Sequence, residues 1–141
     1  MSQATDDIVE IQQLIHRLCQ ALDFSKPDDF VEVFVPEGVF RAVTSDATGN
    51  TERFSHRGSA ALLEFARDAA LKRQGLGRHW TGNVVVSVDQ DTATAVSYVL
   101  FVQIDPDTAA RLINISGVHR DSFVRTPAGW KFTERTIVAD L

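Results

Sequence analysis

The chain of 141 residues has a single cysteine, Cys19, so it cannot form a disulfide within itself. Its apolar runs all fall short of the roughly 18 residues that a membrane-spanning helix needs. Its N-terminus lacks the basic and then apolar pattern of a secretory signal peptide. Acidic residues outnumber basic ones by 19 to 14, so the chain has no surplus of positive charge with which to bind phosphate groups. We therefore expect a cytoplasmic protein that binds neither nucleic acid nor a membrane.

Common catalytic and cofactor-binding motifs are also missing. The sequence has no Gly-x-Ser-x-Gly nucleophile motif and no glycine-rich loop for a dinucleotide or a phosphate. Its histidines and its cysteine form no pair with the spacing of metal ligands. Cys19 falls within a predicted helix and is expected to be a small core residue rather than a nucleophile. We expect neither a metal nor another cofactor.

The chain does contain enough apolar sequence for one core. Hydrophobic residues make up 44% of it and charged residues 23%, which is ordinary for a globular protein. A chain of this length can bury roughly two-thirds of the surface that its unfolded form exposes. We find no internal repeat and no linker, so we expect a single domain over residues 1–141.

Helical periodicity dominates the N-terminal part of the chain. Apolar residues recur at intervals of three and four and predict an amphipathic helix over residues 6–23, with Thr5 or Asp7 as its N-cap. The apolar stripe consists of Ile8, Ile11, Ile15, Leu18 and Leu22. A second, short helix is expected over residues 25–34, after an early proline and two acidic residues. Asp23 would then lie at the corner between the two helices.

The remaining sequence predicts mainly strands. Val39–Val43 predicts one strand and residues 53–56 its return, and a third helix with Ser59 as its N-cap follows. Four further strands, joined by short turn sequences, are predicted at residues 78–88, 92–104, 111–125 and 130–138. Consecutive strands with short links form antiparallel hairpins. The predicted fold class is α+β, with helices packed on one face of a curved antiparallel sheet.

A histidine, His79, lies at the start of a predicted buried strand. Because side chains on a strand alternate between faces, His79 and Asn83 should share one face and Trp80 should lie on the other. On a later strand His119 shares a face with apolar residues and an aspartate, a mixture typical of a pocket wall. We expect the helix corner to bring Asp23 to this face.

These residue types suit proton transfer. The pKa of histidine lies near neutrality, so its side chain can take up and return a proton. A neighbouring carboxylate would fix the tautomer and stabilise the imidazolium ion, so Asp23 and His79 could abstract a proton from a carbon acid. Other interpretations stay open: Asp23 could cap the second helix, and His79 and His119 could be structural. His16 and His56 are expected to be exposed.

Five sequence segments follow one another along the chain in a characteristic order. They are Ala21-Leu22-Asp23 ending the first helix, Glu37-Gly38-Val39-Phe40, Arg78-His79 followed by Asn83, Gly117-x-His119-x-Asp121, and Gly129-Trp130-Lys131-Phe132-x-x-Arg135. This order resembles the SnoaL-like branch of the nuclear-transport-factor-2-like superfamily. Its members include polyketide cyclases, scytalone dehydratase, bile-acid dehydratase, steroid isomerases and hexachlorocyclohexane dehydrochlorinase. The resemblance implies a cone-shaped domain, in which a strongly bent antiparallel sheet wraps round helices and encloses an apolar pocket.

The resemblance also implies roles for individual residues. In the dehydratase and dehydrochlorinase members an Asp–His dyad acts, which makes His79 the general base and Asp23 its orienting partner here. His119 takes a position where relatives often carry a tyrosine that lines the pocket. The candidate substrate contacts are His119, Tyr98, Asn83 and Phe40. One departure is Leu18, which stands where bile-acid-dehydratase-like members carry a tyrosine five residues before the aspartate.

The functional hypothesis is therefore a cofactor-independent lyase of the dehydratase type, or an isomerase, acting on a hydrophobic cyclic small molecule. The alternatives are a non-catalytic domain that binds a small molecule and a small-subunit-like partner of an oxygenase. Many members of the superfamily are dimers joined through the outer sheet face. We expect a homodimer or a higher homo-oligomer, with Trp80 packed in the interface.

Overall fold

The computed structural model describes residues 2–140, which form three helices and six strands. In chain order these are α1 (Gln3–Asp23), α2 (Pro27–Glu32), β1 (Phe34–Asp46), β2 (Gly49–Arg57), α3 (Ser59–Arg73), β3 (Gly77–Asp89), β4 (Thr92–Ile104), β5 (Arg111–Thr126) and β6 (Gly129–Ala139). Within this part of the chain, no helix combines the length and the apolarity needed to cross a lipid bilayer.

The six strands form one curled sheet in the order β2-β1-β6-β5-β4-β3, with the helices packed against it. From β3 to β6 each strand pairs antiparallel with the next one in sequence, as the turn sequences predict. β1 pairs antiparallel with β2 but parallel with β6, so the sheet is mixed rather than purely antiparallel. The prediction missed this pair because most of the chain separates β1 from β6 and no local turn reports their relative direction.

The first helix buries the predicted apolar stripe from Ile11 onward, whereas Ile8 is only half-buried. It begins at Gln3, because the Ser2 hydroxyl accepts a hydrogen bond from the backbone N–H of Thr5 at 3.3 Å and so caps the helix. The predicted caps are therefore wrong: Thr5 donates to the true cap, and Asp7 is a buried residue of the helix. The predicted end at Asp23 agrees with the structure.

Buried Asp7 anchors the N-terminal end of α1 to the sheet. Arg125 on β5 donates two hydrogen bonds to its carboxylate, at 2.8 and 2.9 Å, and the Trp130 indole N–H donates a third at 3.1 Å. The hydrogen bonds from Arg125 and then Trp130 lower the pKa of Asp7, so its carboxylate stays charged at neutral pH. This anchor fixes the direction of α1 and with it the position of Asp23 at the other end.

An aromatic cluster fills the core between α2, α3 and the β1–β2 hairpin. Phe30 is fully buried, and its ring centroid lies 5.4 Å from those of both Phe34 and Phe40. α2 ends at Glu32 rather than at residue 34, because Phe34 already belongs to β1. His56 is half-buried rather than exposed, because its ring packs against two rings of this cluster.

The most deeply buried charges form a pair on neighbouring strands. Asp121 on β5 lies opposite Arg135 on β6, and their side chains are 0% and 1% exposed. Arg135 donates through Nε and Nη2 to the two carboxylate oxygens, both at 2.8 Å. Its third nitrogen, Nη1, points at the thiol of Cys19 on α1 at 3.9 Å. The pair therefore connects β5, β6 and α1 inside the protein.

Removing one charge of this pair should be strongly destabilising. Asp121→Asn would leave the Arg135 guanidinium buried without a counter-charge, and we expect the free energy of unfolding to fall by about 3 to 5 kcal/mol. Urea denaturation at pH 7 measures this loss. The control is Asp68→Asn, which breaks the exposed pair of Asp68 with Lys72 and should cost less than about 1 kcal/mol. Equal losses in the two variants would contradict the prediction.

Candidate functional site

The C-terminal end of α1 brings Asp23 to the start of β3. Its Oδ1 lies 2.6 Å from Nδ1 of His79, and its Oδ2 accepts a hydrogen bond from the backbone N–H of His79 at 2.9 Å. The two side chains are only 6% and 9% exposed. The chain turns into α2 directly afterwards, because Ser25 takes a left-handed conformation with φ 55°. The helix corner therefore delivers the carboxylate to the imidazole.

The contact with Asp23 determines which ring nitrogen of His79 is free. A carboxylate accepts hydrogen bonds, so Nδ1 carries the proton and donates it, and Nε2 keeps its lone pair. The imidazole also packs on the ring of Phe101 on β4, with the centroids 4.5 Å apart. The ring is thus oriented from two sides, with Nε2 available to accept a proton.

Burial lowers the pKa of His79 below its ordinary value of 6.5, and this effect outweighs the hydrogen bond and the charge of Asp23, which raise it. The positive charges of Arg73 and Arg135 lower the pKa further. His79 is therefore neutral at pH 7, the state in which it can act as a base.

A second buried histidine, His119, faces the interior from β5. It lies opposite Ser97 on β4, and the two residues are 2% and 0% exposed. His119 Nδ1 and Ser97 Oγ are buried and find no hydrogen-bond partner among residues 2–140. Burial, followed by the charge of Arg135, holds the pKa of His119 well below its usual range, so this ring is neutral as well. Because buried polar atoms are normally paired, these two offer binding groups to a polar ligand.

Asn83 does not share a face with His79, contrary to the prediction. A β-bulge between Gly82 and Val85 interrupts the alternation of β3, and Asn83 takes a left-handed conformation there with φ 52°. Asn83 is exposed, as is Trp80 on the outer face of the sheet. Beyond the bulge, the residues that pack against the core are Val84, Val86 and Val88.

The other candidate substrate contacts have different surroundings. Tyr98 is 56% exposed on the outer face of β4 and lines, with Asn83, a surface cavity of about 640 Å³. Tyr98 therefore lies on the opposite face of the sheet from His79, and the substrate roles of Tyr98 and Asn83 stay predictions. Phe40 is buried in the aromatic cluster. Of the four candidates, only His119 has unpaired polar atoms facing the interior, and the substrate roles of His119 and Phe40 stay predictions.

The sequence prediction did not identify two further candidate residues. The first is Arg73 in the last turn of α3, whose Cζ lies 4.6 Å from the centroid of the Phe101 ring, the ring that packs on His79. The sequence signal for Arg73 was the Gly75–Gly77 turn, which leads directly from the end of α3 to β3, the strand that carries His79. The other is Ser97, whose signal was a hydroxyl at an inward position of an otherwise apolar strand face.

Cys19 is a buried free cysteine of α1, in agreement with its predicted place in the core. Its Sγ lies 3.5 Å from Oγ1 of Thr81, two residues after His79. Among residues 2–140, no three side chains of His, Cys, Asp or Glu gather in an arrangement that could hold a metal ion.

Acid should destabilise the fold through His119. Its pKa in the folded protein lies well below 6.5, whereas the unfolded chain takes up the proton at about pH 6.5. Below that pH the unfolded state binds more protons, so the free energy of unfolding should fall by up to about 1.4 kcal/mol per pH unit for this residue. Urea denaturation between about pH 6.5 and pH 5 measures the slope, which His119→Gln should reduce.

The slope should not vanish in that variant, because the pKa of His79 is lowered in the same direction. The matched control is His16→Gln, which removes an exposed histidine of α1 and should leave the slope of the native protein unchanged. A slope that is the same in the native protein and in His119→Gln would contradict the assignment.

Solved structures share this fold at low sequence identity. An NTF2-like protein with a cystatin-like fold from Novosphingobium aromaticivorans superposes with a TM-score of 0.82 at 24% identity, over 97% of this chain and 84% of that one. The beta subunit of a provisionally assigned aromatic-ring-hydroxylating dioxygenase from the same organism gives 0.85 at 18% identity, over 99% and 93%. A protein provisionally named scytalone dehydratase, also from that organism, gives 0.78 at 19% identity, over 98% and 87%.

Sequence comparison agrees with the structural one. An uncharacterized Mycobacterium tuberculosis protein, Rv2910c, is 29% identical over 131 residues, which cover 92% of this chain and 82% of the relative. The family model described as a SnoaL-like domain matches residues 3–136. That match spans nearly the whole chain, including both members of the Asp23–His79 contact, and the chain belongs to the SnoaL-like domain family.

Proposed function

We propose that the protein is a cofactor-independent lyase of the dehydratase type, or an isomerase, that removes a proton from a hydrophobic cyclic small molecule. The observation that carries the proposal is the buried contact of 2.6 Å between Oδ1 of Asp23 and Nδ1 of His79. It leaves Nε2 of a neutral imidazole free to act as the base. Structural neighbours named as dehydratases lend support at the level of the fold.

The reaction would follow from this geometry. Nε2 of His79 takes a proton from a C–H bond of the substrate, and the electron pair of that bond moves onto the substrate. Asp23 stabilises the imidazolium ion that forms, because its Oδ1 already accepts the Nδ1 proton. In a dehydration the electron pair forms a C=C bond and expels hydroxide, which leaves as water with the imidazolium proton. In an isomerisation the imidazolium returns the proton to another carbon.

Leu18 removes one candidate for the group that gives a proton to the leaving group. This side chain is buried and apolar where the bile-acid-dehydratase-like members of the superfamily carry a phenol. A proton for the leaving group must therefore come from another donor, and the His79 imidazolium is the one that the first step creates. A single residue would then act first as the base and afterwards as the acid.

Proton abstraction can be tested without knowing the natural substrate. The probe is 2-tetralone, a hydrophobic cyclic ketone, whose exchange of carbon-bound hydrogen for deuterium in D₂O is followed by NMR. We expect the native protein to accelerate the exchange, and His79→Gln to reduce the acceleration by about 100-fold or more, since general base catalysis contributes that much. The control is His16→Gln, an exposed histidine variant that should behave like the native protein.

The coupling between the two residues has its own test. Asp23→Asn removes a charge that raises the pKa of His79, so the imidazole should titrate at a lower pH in the variant than in the native protein. An NMR titration of the His79 ring protons measures this difference. Asp28→Asn, at an exposed position of α2, is the control and should leave the titration unchanged. Identical titrations in the native protein and in Asp23→Asn would contradict an Asp–His mechanism.

The alternative functions make different predictions. A non-catalytic binding domain would bind 2-tetralone without accelerating its exchange, and His79→Gln would then change nothing in the rate. A small-subunit-like partner of an oxygenase, which the dioxygenase beta subunit among the neighbours suggests, would co-purify with a large iron-containing chain. A stable isolated homodimer with exchange activity would count against both.

A homodimer is itself part of the proposal. Trp80, Tyr98 and Leu100 expose 66%, 56% and 40% of their surface on the outer sheet face, and contiguous exposed apolar side chains are typical of interfaces. Trp80→Glu would bury a charge in an interface formed there, and we expect it to give monomers in sedimentation velocity. Leu71→Glu, at an apolar residue of α3 that is 77% exposed, is the control and should leave the assembly unchanged. A native protein that sediments as a monomer would overturn this part of the proposal.

A further inference from the structure

Arg73 is the last residue of α3, and its side chain turns into the protein rather than into solvent. The helix ends because Gln74 and Gly75 take left-handed conformations, with φ 52° and 71°, so that β3 can begin at Gly77. This reversal brings the Arg73 guanidinium to 4.6 Å from the centroid of the Phe101 ring. The side chain is therefore held against the aromatic ring that also supports His79.

The Arg73 guanidinium lacks the partner that a buried cation normally has. Its Nη1 is buried and finds no hydrogen-bond acceptor among residues 2–140, and Arg73 joins none of the ion pairs found in that range. Burial lowers the pKa of Arg73, and the charge of Asp23 opposes this. A buried N–H of a charged group without an acceptor is costly to the fold, so its retention calls for an acceptor from outside the chain.

The position of this unpaired donor relative to His79 is informative. The imidazole centroid lies 4.5 Å from that of Phe101, and the Arg73 Cζ lies 4.6 Å from the same centroid. The two groups thus pack on the same aromatic ring. A small cyclic ligand that presents a C–H bond to Nε2 of His79 would have Arg73 among its neighbours.

The pairing of charges around His79 leaves Arg73 available to a ligand. Asp121 is paired with Arg135 through two hydrogen bonds, and Asp23 is paired with the imidazole that would become an imidazolium. Abstraction of a carbon-bound proton leaves a negative charge on the substrate, and Arg73 is a half-buried cation that joins no ion pair among residues 2–140. A fixed donor beside the oxygen on which this charge collects would stabilise the transition state.

We propose that Arg73 binds the oxyanion of the substrate, so that the ligand is a conjugated cyclic carbonyl compound whose oxygen becomes an enolate. The proposal rests on the proposed function, because it takes His79 as the base. The C–H bond breaks, its proton forms an N–H bond at Nε2, and the electron pair moves through the conjugated system to the oxygen. No oxidant or reductant takes part.

The test uses 4-nitrophenol as a probe, because its absorbance distinguishes bound phenolate from bound phenol. We expect the native protein to bind the phenolate form and to favour ionisation of the probe. Arg73→Met should weaken phenolate binding by about tenfold or more, as expected for the loss of a charged hydrogen-bond donor. The control is Lys72→Met, which removes the neighbouring exposed cation and should bind like the native protein.

A conservative variant keeps the test decisive if Arg73→Met fails to fold. Arg73→Lys retains the charge but not the planar set of donors, and should weaken phenolate binding by a smaller factor. Binding of the neutral phenol in preference to the phenolate, affinity unchanged in both Arg73 variants, or no saturable binding to the native protein would each overturn the proposal.

The two proposals can fail separately. If phenolate binding depends on Arg73 but 2-tetralone exchange does not depend on His79, the oxyanion site stands and the proton-transfer function falls. If the exchange depends on His79 but phenolate affinity ignores Arg73, the function stands and the oxyanion site is overturned.

Discussion

The interior of this protein depends on the ion pair between Asp121 and Arg135. Two charges without access to solvent are tolerated only when their hydrogen bonds are nearly all made, and the two-fold contact on neighbouring strands meets that condition. The pair also acts on the chemistry around it, because the charge of Arg135 lowers the pKa of both His79 and His119. A contact that joins β5 to β6 therefore helps to keep two buried histidines neutral.

Helix α1 is held by a carboxylate near each end. Asp7 accepts hydrogen bonds from Arg125 and Trp130, and Asp23 accepts them from the backbone N–H and the ring of His79. Because Asp23 uses one oxygen to hold the strand and the other to hold the imidazole, a shift of the helix would disturb both contacts together. The packing of α1 and the orientation of the His79 ring are therefore coupled through Asp23. This coupling explains why the candidate base can lie where α1 meets β3 rather than in a loop.

Much of the fold could be predicted from local patterns. The periodicity of α1, the turn sequences between β3 and β6 and the end of α1 at Asp23 all carry local signals that the structure matches. The parallel pairing of β1 with β6 carries none, because it joins distant parts of the chain. The cap at Ser2 was missed because the burial of Asp7 depends on Arg125, far away in sequence.

The site shows the same division between local and distant information. The meeting of Asp23 with His79 could be anticipated from the helix corner and from family resemblance. The place of Asn83 could not, because a bulge that no local pattern predicts changes the alternation of β3. Arg73 and Ser97 were missed because the lack of a hydrogen-bond partner, which sets them apart, is visible only in three dimensions.

The bulge at Asn83 divides β3 into two segments with opposite alternation. Before it, odd-numbered positions such as His79 and Thr81 face inward, and after it the even-numbered positions Val84, Val86 and Val88 do. Deleting one residue at the bulge would therefore turn one segment inside out, exposing either the valines or the histidine. Within a lineage, insertions and deletions should be excluded from this short interval even though Asn83 at its centre is exposed. Sequence length at this point, rather than sequence identity, is what selection would preserve.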